Sequence, residues 1–245
     1  MSNRLIASLV NASKDFRFIP DYFSKSEQKL LLDASLLKLD ASGSRRFQRR
    51  RQARLERSER SGFLPDEYYE FIEVYPRSSN KSCCYFDIQA RKGHYDGVIH
   101  NYREALLNSW PLAEIPTLSP VLNRLHSLLP SQNIQTHLLH LASDGEILPH
   151  VDNVDASGRW ILGVSLGSER ILRLEKCENS EEAVEIPLPP GSVYLQSDSI
   201  RFDYKHSILK SDTMGQRMSI MIRDLPDIDK EHPPDLVINS PLKIV

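Results

Sequence analysis

Apolar and polar positions alternate along most of the second half of the chain. Ile134 to Ala142, Trp160 to Leu166, Arg170 to Leu174 and Ser192 to Gln196 read as strands, and Met218 to Arg223 as a closing strand that alternates only in part. The first half reads differently. Phe16 to Phe23 predicts a short strand that Pro20 ends, and Ser24 with Glu27 forms a capping box. A helix is expected from there to about Leu39, with Leu30, Leu31, Ala34 and Leu37 on one side. Ile99, Tyr102 and Leu106 stand at helical spacing and predict a helix from Gly97 to Trp110. Ser119 followed by Pro120 reads as an N-cap and first turn, giving a helix to Leu129 that Pro130 stops.

Length and composition change this picture little. A chain of 245 residues suits one domain with a well-developed core. Hydrophobic residues make up 40% and charged residues 26%, as in an ordinary globular protein. No apolar run approaches the roughly 18 residues of a membrane helix. Cys83, Cys84 and Cys177 form no Cys-x-x-Cys, so there is no zinc signature, and a reducing compartment is expected. Met1 to Ser13 contains Arg4 and no acid, which is compatible with a short organellar presequence.

Charge changes it more. Residues 45–60 hold eight arginines against two glutamates, about +6, so with −2 overall the rest of the chain carries about −8. The segment reads as a solvated, flexible insertion. The alternatives are a phosphate-binding arm for RNA or DNA and a nuclear signal. Tyr68, Tyr69, Phe71, Tyr75, Tyr85 and Phe86 follow, and are read as strand core before stacking residues for a flipped base.

The chemistry centres on Pro149-His150-Val151-Asp152, with His206 and Arg217 downstream. Residues two apart on a strand face the same way, so His150 and Asp152 can share a metal. Two imidazoles and one carboxylate hold one face of Fe(II) and leave three positions open. An arginine is a planar fork suited to a carboxylate bound nearby. Arg217 and Arg223, six apart, share a face on an unbroken strand. Taken singly, each residue is as well explained by an ion pair or a half-buried histidine. Their order among predicted strands is what points to a site.

These motifs resemble the AlkB family of Fe(II)/2-oxoglutarate dioxygenases, and within it the mitochondrial, seventh subfamily. The similarity runs through Tyr95 to Glu104 and on to Trp110, the His150–Asp152 motif approached through Gly145, and Pro190 to Tyr194. It continues through Arg201 to His206 and Arg217 to Pro226, so it covers about residues 81–226. The resemblance implies a mainly β fold with flanking helices, a double-stranded β-helix or jelly-roll core. It implies Fe(II) on His150, Asp152 and His206, 2-oxoglutarate on Arg217 and Tyr194, and Arg223 close to the reacting end. The implied activity consumes O2 and releases succinate and CO2, hydroxylating a C–H bond or removing an N-methyl group from a protein or RNA substrate. The family's nucleic-acid demethylases carry an Asn-x-Tyr pair before the His-x-Asp, where this chain has Leu138 to Ala142, so nucleobase repair is disfavoured. His137 and His140 on that strand are expected to be structural, although His140 could reach the cofactor.

The expected organisation is residues 1–43 as a strand and helix, 44–62 as the arginine-rich insertion, 63–226 as the oxygenase core and 227–245 as a tail. Asn153, in the polar turn after Asp152, is a candidate substrate contact. Two other functions stay open: a non-catalytic interaction protein on an oxygenase fold, and an RNA or DNA demethylase docking through Arg45–Arg60. The subfamily points to the mitochondrion, with the nucleus or cytoplasm as alternatives.

Overall fold

The computed structural model describes residues 14–56, 62–73, 97–154, 157–179, 181–211 and 215–226. The presequence, Cys83, Cys84, Tyr75, Tyr85, Phe86, Arg57, Arg60 and the 227–245 tail lie outside the described residues. Among the described residues, nine strands form one curled antiparallel sheet: β1 (Phe16–Ile19), β2 (Ile99–Leu107), β3 (Ile134–His150), β4 (Trp160–Gly167), β5 (Arg170–Lys176), β6 (Ala183–Leu188), β7 (Val193–Ser197), β8 (Tyr204–Ile208) and β9 (Arg217–Asp224). Their order is β1-β7-β4-β9-β3-β8-β5-β6, and β2 pairs with β3. The 17-residue β3 belongs to both halves of the curl. Its first part pairs with β9 and β2, its last part with β8. The mainly β jelly roll expected from the resemblance is the observed architecture.

Alternation along each strand builds two cores from one sheet. Trp160, Leu162, Val164 and Leu166 of β4, with Met218, Ile220 and Ile222 of β9, pack outward under helix α1 (Lys25–Ala41) and helix α3 (Leu118–His126). Leu139 and Leu141 of β3 pack inward against Leu172, Leu174, Val184, Ile186, Leu188 and Ile208 of the other half. Each such buried aliphatic side chain contributes about 1.5–3 kcal/mol.

The capping box of α1 is formed: Glu27 N–H donates to Ser24 Oγ and Ser24 N–H to Glu27 Oε2, at 3.4 and 2.9 Å. Leu31, Ala34, Leu36 and Leu39 are its buried side; Leu37, expected inward, is 43% exposed. Helix α3 starts at Leu118 after Thr117, so Ser119 is inside it and not its cap, and it ends at His126. The Arg124 guanidinium pairs with Glu27 at 2.8 Å and ties α3 to α1.

Three expectations need correction. Residues 99–107 are strand β2, not a helix. Asn101 has a φ of +49° at a register shift between His100 and Tyr102. The extra residue brings Ile99 and Tyr102, three apart, into the same inner core, which imitates a helical repeat, while Leu106 is half exposed. Gly145 allows the bulge to lie close, since a Cβ there would meet Asn101 O at 2.6 Å. The second correction concerns the arginine-rich segment. Arg45–Glu56 is helix α2 rather than a loose insertion. Ser44 Oγ accepts from Phe47 N–H at 3.3 Å, and arginine and glutamine are good helix formers. Phe47 and Arg51, one turn apart, are buried, Phe47 near the Tyr69 ring and Arg51 on Asp40. The third correction is one of omission: β6, β8 and helix α4 (Asp198–Asp203) carried no readable period because each is short.

Candidate metal centre

His150 ends β3 and His206 lies on β8, and the two are direct cross-strand partners. Their ring centroids are 4.2 Å apart. Asp152 lies in the loop beyond β3, so it joins them through the loop's path and not through strand alternation. A buried arginine holds that path. Arg201 of α4 is 2% exposed and donates to Asp152 O at 3.1 Å, Asn153 O at 3.4 Å and Ser157 Oγ at 2.6 Å. The ligand atoms of His150, Asp152 and His206 all fall within 4.8 Å of one another. His150 Nε2 is 3.4 Å from Asp152 Oδ1, and His206 Nε2 is 4.0 Å from it.

The protonation states suit a cation. His150 Nδ1 donates to Leu148 O at 2.8 Å, which leaves the lone pair on Nε2 facing the site. Burial pushes the His206 imidazole down to about 3; Asp152 opposes the shift, and His150, Arg223 and Arg201 reinforce it. A neutral imidazole is the form that binds a metal. Arg223 Nη2 stands 3.7 Å from Asp152 Oδ1.

A second cluster lies along the inner face of β9, β4 and β7. Arg217 is 1% exposed. Its Nε donates to Ser165 Oγ at 3.3 Å and its Nη1 to Ser219 Oγ, while Nη2 is buried with no hydrogen-bond acceptor among the described residues. Burial lowers this guanidinium to about 10, the nearby Arg170 charge adds to the fall, and Tyr194 opposes it. Arg217 is therefore still a cation at neutral pH. Tyr194 reaches this cluster because its register partner is Gly163; a Cβ there would meet the tyrosine ring at 2.3 Å. Burial raises the Tyr194 phenol above its ordinary value, so it keeps its proton and can donate. A buried guanidinium with a vacant donor beside a protonated phenol is matched by a carboxylate. The residues present thus fit both Fe(II) and the distal end of a dicarboxylic keto acid.

Of the residues singled out in the sequence, the structure gathers His150, Asp152, His206 and Arg223, with Tyr194 and Arg217 beside them. It does not bring His140 to them. His140 points to the outer face, where Nδ1 accepts from Arg103 Nε at 2.9 Å and Nε2 donates to Gln216 Oε1 at 3.0 Å. Asn153 is exposed beside the centre. Sequence reasoning gave no role to Arg201, Gly163, Ser165, Ser219 or Glu104. Small or polar residues at every second position of two apolar strands were the signal available for Gly163, Ser165 and Ser219. Glu104 of β2 had none. Burial raises its carboxyl and the charge of Arg223 draws it back.

A family model described as the 2OG-Fe(II) oxygenase superfamily matches residues 15–225. The chain belongs to that superfamily. Among superfamily relatives, it is 34% identical over 145 residues to mouse "alpha-ketoglutarate-dependent dioxygenase alkB homolog 7, mitochondrial", covering 55% of this chain and 65% of the mouse protein. The bovine protein of the same name is 33% identical over the same span. An uncharacterized protein of Acanthamoeba polyphaga mimivirus is 31% identical over 140 residues, 53% of this chain and 62% of the viral protein. The chain thus spans somewhat less than two thirds of the curated relatives it matches. The AlkB resemblance read from the motifs agrees with these similarities. Two solved structures share the superfamily fold at low identity. The structure of OsALKBH1 superposes with a TM-score of 0.50 at 12% identity, covering 86% of this chain and 99% of that one. A Trichoplax adhaerens prolyl hydroxylase, in complex with a hypoxia inducible factor oxygen degradation domain peptide fragment, gives 0.51 at 13%, covering 90% and 87%.

Proposed function

We propose that this chain is an Fe(II)- and 2-oxoglutarate-dependent dioxygenase acting on a C–H or N-methyl group of a protein or RNA substrate. The observation that carries the reading is the vacant, buried Nη2 of Arg217 on the same inner face as the His150–Asp152–His206 group. In this reading His150, Asp152 and His206 hold the iron. Arg217 and Tyr194 hold the distal carboxylate of 2-oxoglutarate, and Ser165 and Ser219 fix the guanidinium. Arg223, beside Asp152, orients that carboxylate ligand and balances its charge. Arg201 keeps the ligand loop in place before the metal arrives. When bound, Fe(II) and 2-oxoglutarate supply the oxidising chemistry that consumes O2 and forms succinate and CO2. The protein's part is to exclude water and to hold the reactants in one geometry.

The mitochondrial names of the curated relatives support a mitochondrial location, which cell fractionation would check. A non-catalytic role on the same fold is the second reading, and the complete ligand set counts against it. The deciding experiment measures succinate formed from 2-oxoglutarate with Fe(II), ascorbate and O2. Wild type should form succinate, and His150→Ala and Arg217→Ala should not. Wild-type protein that neither forms succinate nor binds 2-oxoglutarate overturns the reading.

A further inference from the structure

Helix α2 has two sides of opposite fate. Phe47 and Arg51 are buried, and Arg51 pairs with Asp40. Arg45, Arg46, Arg49 and Arg50 are exposed, and none of the four forms an ion pair among the described residues. Arg50 lies 4.9 Å over the Tyr68 ring, which holds the guanidinium without neutralising it. Arg45 with Arg49, and Arg46 with Arg50, are like charges one turn apart, a destabilising arrangement. No acid stands in the first turn to offset it. The helix therefore keeps four positive charges on one surface at the expense of its own stability, while the rest of the chain is acidic.

We infer that the exposed face of α2 binds a nucleic-acid strand through its phosphates, without reading bases. Guanidinium forks grip phosphate oxygens two at a time. The two members of each pair sit about 6 Å apart along the helix axis and present a row of charge to a row of phosphates. Counterion release makes such a row a stronger partner than scattered carboxylates. A membrane-surface helix needs an exposed apolar face, and Phe47, the large apolar side chain of α2 among those described, is buried. The surface is distinct from the metal centre. Phe47 joins the outer core, and Arg51 joins Asp40, whose carboxylate also binds Arg103 at 2.8 Å. Arg103 in turn bonds His140 on the outer face of β3, whereas the metal ligands lie on the inner side. A strand bound to α2 is thus docked and is not the reacting group, and the inference stands whether or not the oxygenase reading does.

The test is fluorescence anisotropy of the full chain with a labelled single-stranded RNA of about 20 nucleotides, repeated with DNA of the same sequence, over a salt series. Both probes should bind. For four phosphate contacts the plot of log Kd against log salt should have a slope of about 2–3. Changing the four residues together to glutamine (R45Q, R46Q, R49Q, R50Q) should weaken binding at least about tenfold at low salt. Changing the same four to lysine should retain most of it. A thermal melt checks the fold; the glutamine variant should melt no lower than wild type, because it removes like-charge pairs. Absence of binding at low salt, binding indifferent to salt, or wild-type affinity in the folded glutamine variant overturns the inference. Tighter binding of anionic phospholipid vesicles or of polyglutamate through the same four arginines overturns the nucleic-acid partner.

Discussion

The two faces of β9 are both largely buried but differ in chemistry. Met218, Ile220 and Ile222 point outward and are 0–1% exposed; Arg217, Ser219 and Arg223 point inward and are 1–3% exposed. The outer face joins the apolar cluster under α1 and α3, where burial itself is the gain. The inner face buries two guanidinium groups, which water would solvate better. One strand therefore carries apolar packing on one side and a buried polar cluster on the other. The difference teaches that burial alone does not identify core. What marks this face is that its buried charges stand beside a group of possible metal ligands.

Substitutions can separate the two sides. Arg217→Met should weaken 2-oxoglutarate binding by at least about 30-fold, the scale of a buried charge pair broken on one side. The same change should leave the thermal midpoint at or above that of wild type, since it removes an incompletely paired buried charge. Binding that survives, or a protein that unfolds, would show Arg217 to be structural. Ile220→Ala is the mirror case. It should cost about 2–5 kcal/mol in urea unfolding, with 2-oxoglutarate affinity unchanged in the folded fraction. An affinity loss there would mean that the faces are not independent.

Gly163→Ala should act on the site through Tyr194. The new methyl occupies the space of the ring, and 2-oxoglutarate affinity should fall about tenfold. Adding Tyr194→Phe to that background should change little more, and full additivity of the two losses would sink the steric explanation.

The smallest effect is one of pH. Burial holds His140 well below its ordinary value of 6.5, with the Arg103 charge reinforcing the shift and the Gln216 hydrogen bond opposing it. Protonation would also place a hydrogen on Nδ1 against the Arg103 donor. Below about pH 6.5 the unfolded chain binds a proton that the folded chain does not, so stability falls as the pH drops through that range. Urea midpoints at pH 7.5 and 5.5 should therefore fall further in wild type than in His140→Gln. Equal falls would remove His140 as a cause.

The candidate site was legible in the order of its motifs among the predicted strands and in the family resemblance, more than in any clear period of its own strands. Arg217 and Arg223 could be assigned to one face from spacing alone, and the register agrees. Asp152 was correctly paired with His150 for an incomplete reason, since it lies past the end of β3 and Arg201 sets its position. A contact between α4 and a loop 49 residues away leaves no local pattern. The helix read over 97–110 failed because a bulge changes the phase of a strand without changing its composition. The loose insertion read over 44–62 failed for Arg45–Glu56 in the opposite way. The fold of α2 rests on Phe47 and Arg51 reaching Tyr69 and Asp40, partners that a charge count does not include.

Strand β3 runs through both halves of the curl, and this has a thermodynamic consequence. Leu141 is the register neighbour of Arg217, and nine residues further along the same backbone His150 faces His206. On the proposed reading, the acid's anchor on β9 is thus paired with the strand that ends in a metal ligand. With both sites sharing that strand, metal and 2-oxoglutarate should each raise the other's affinity by the same factor.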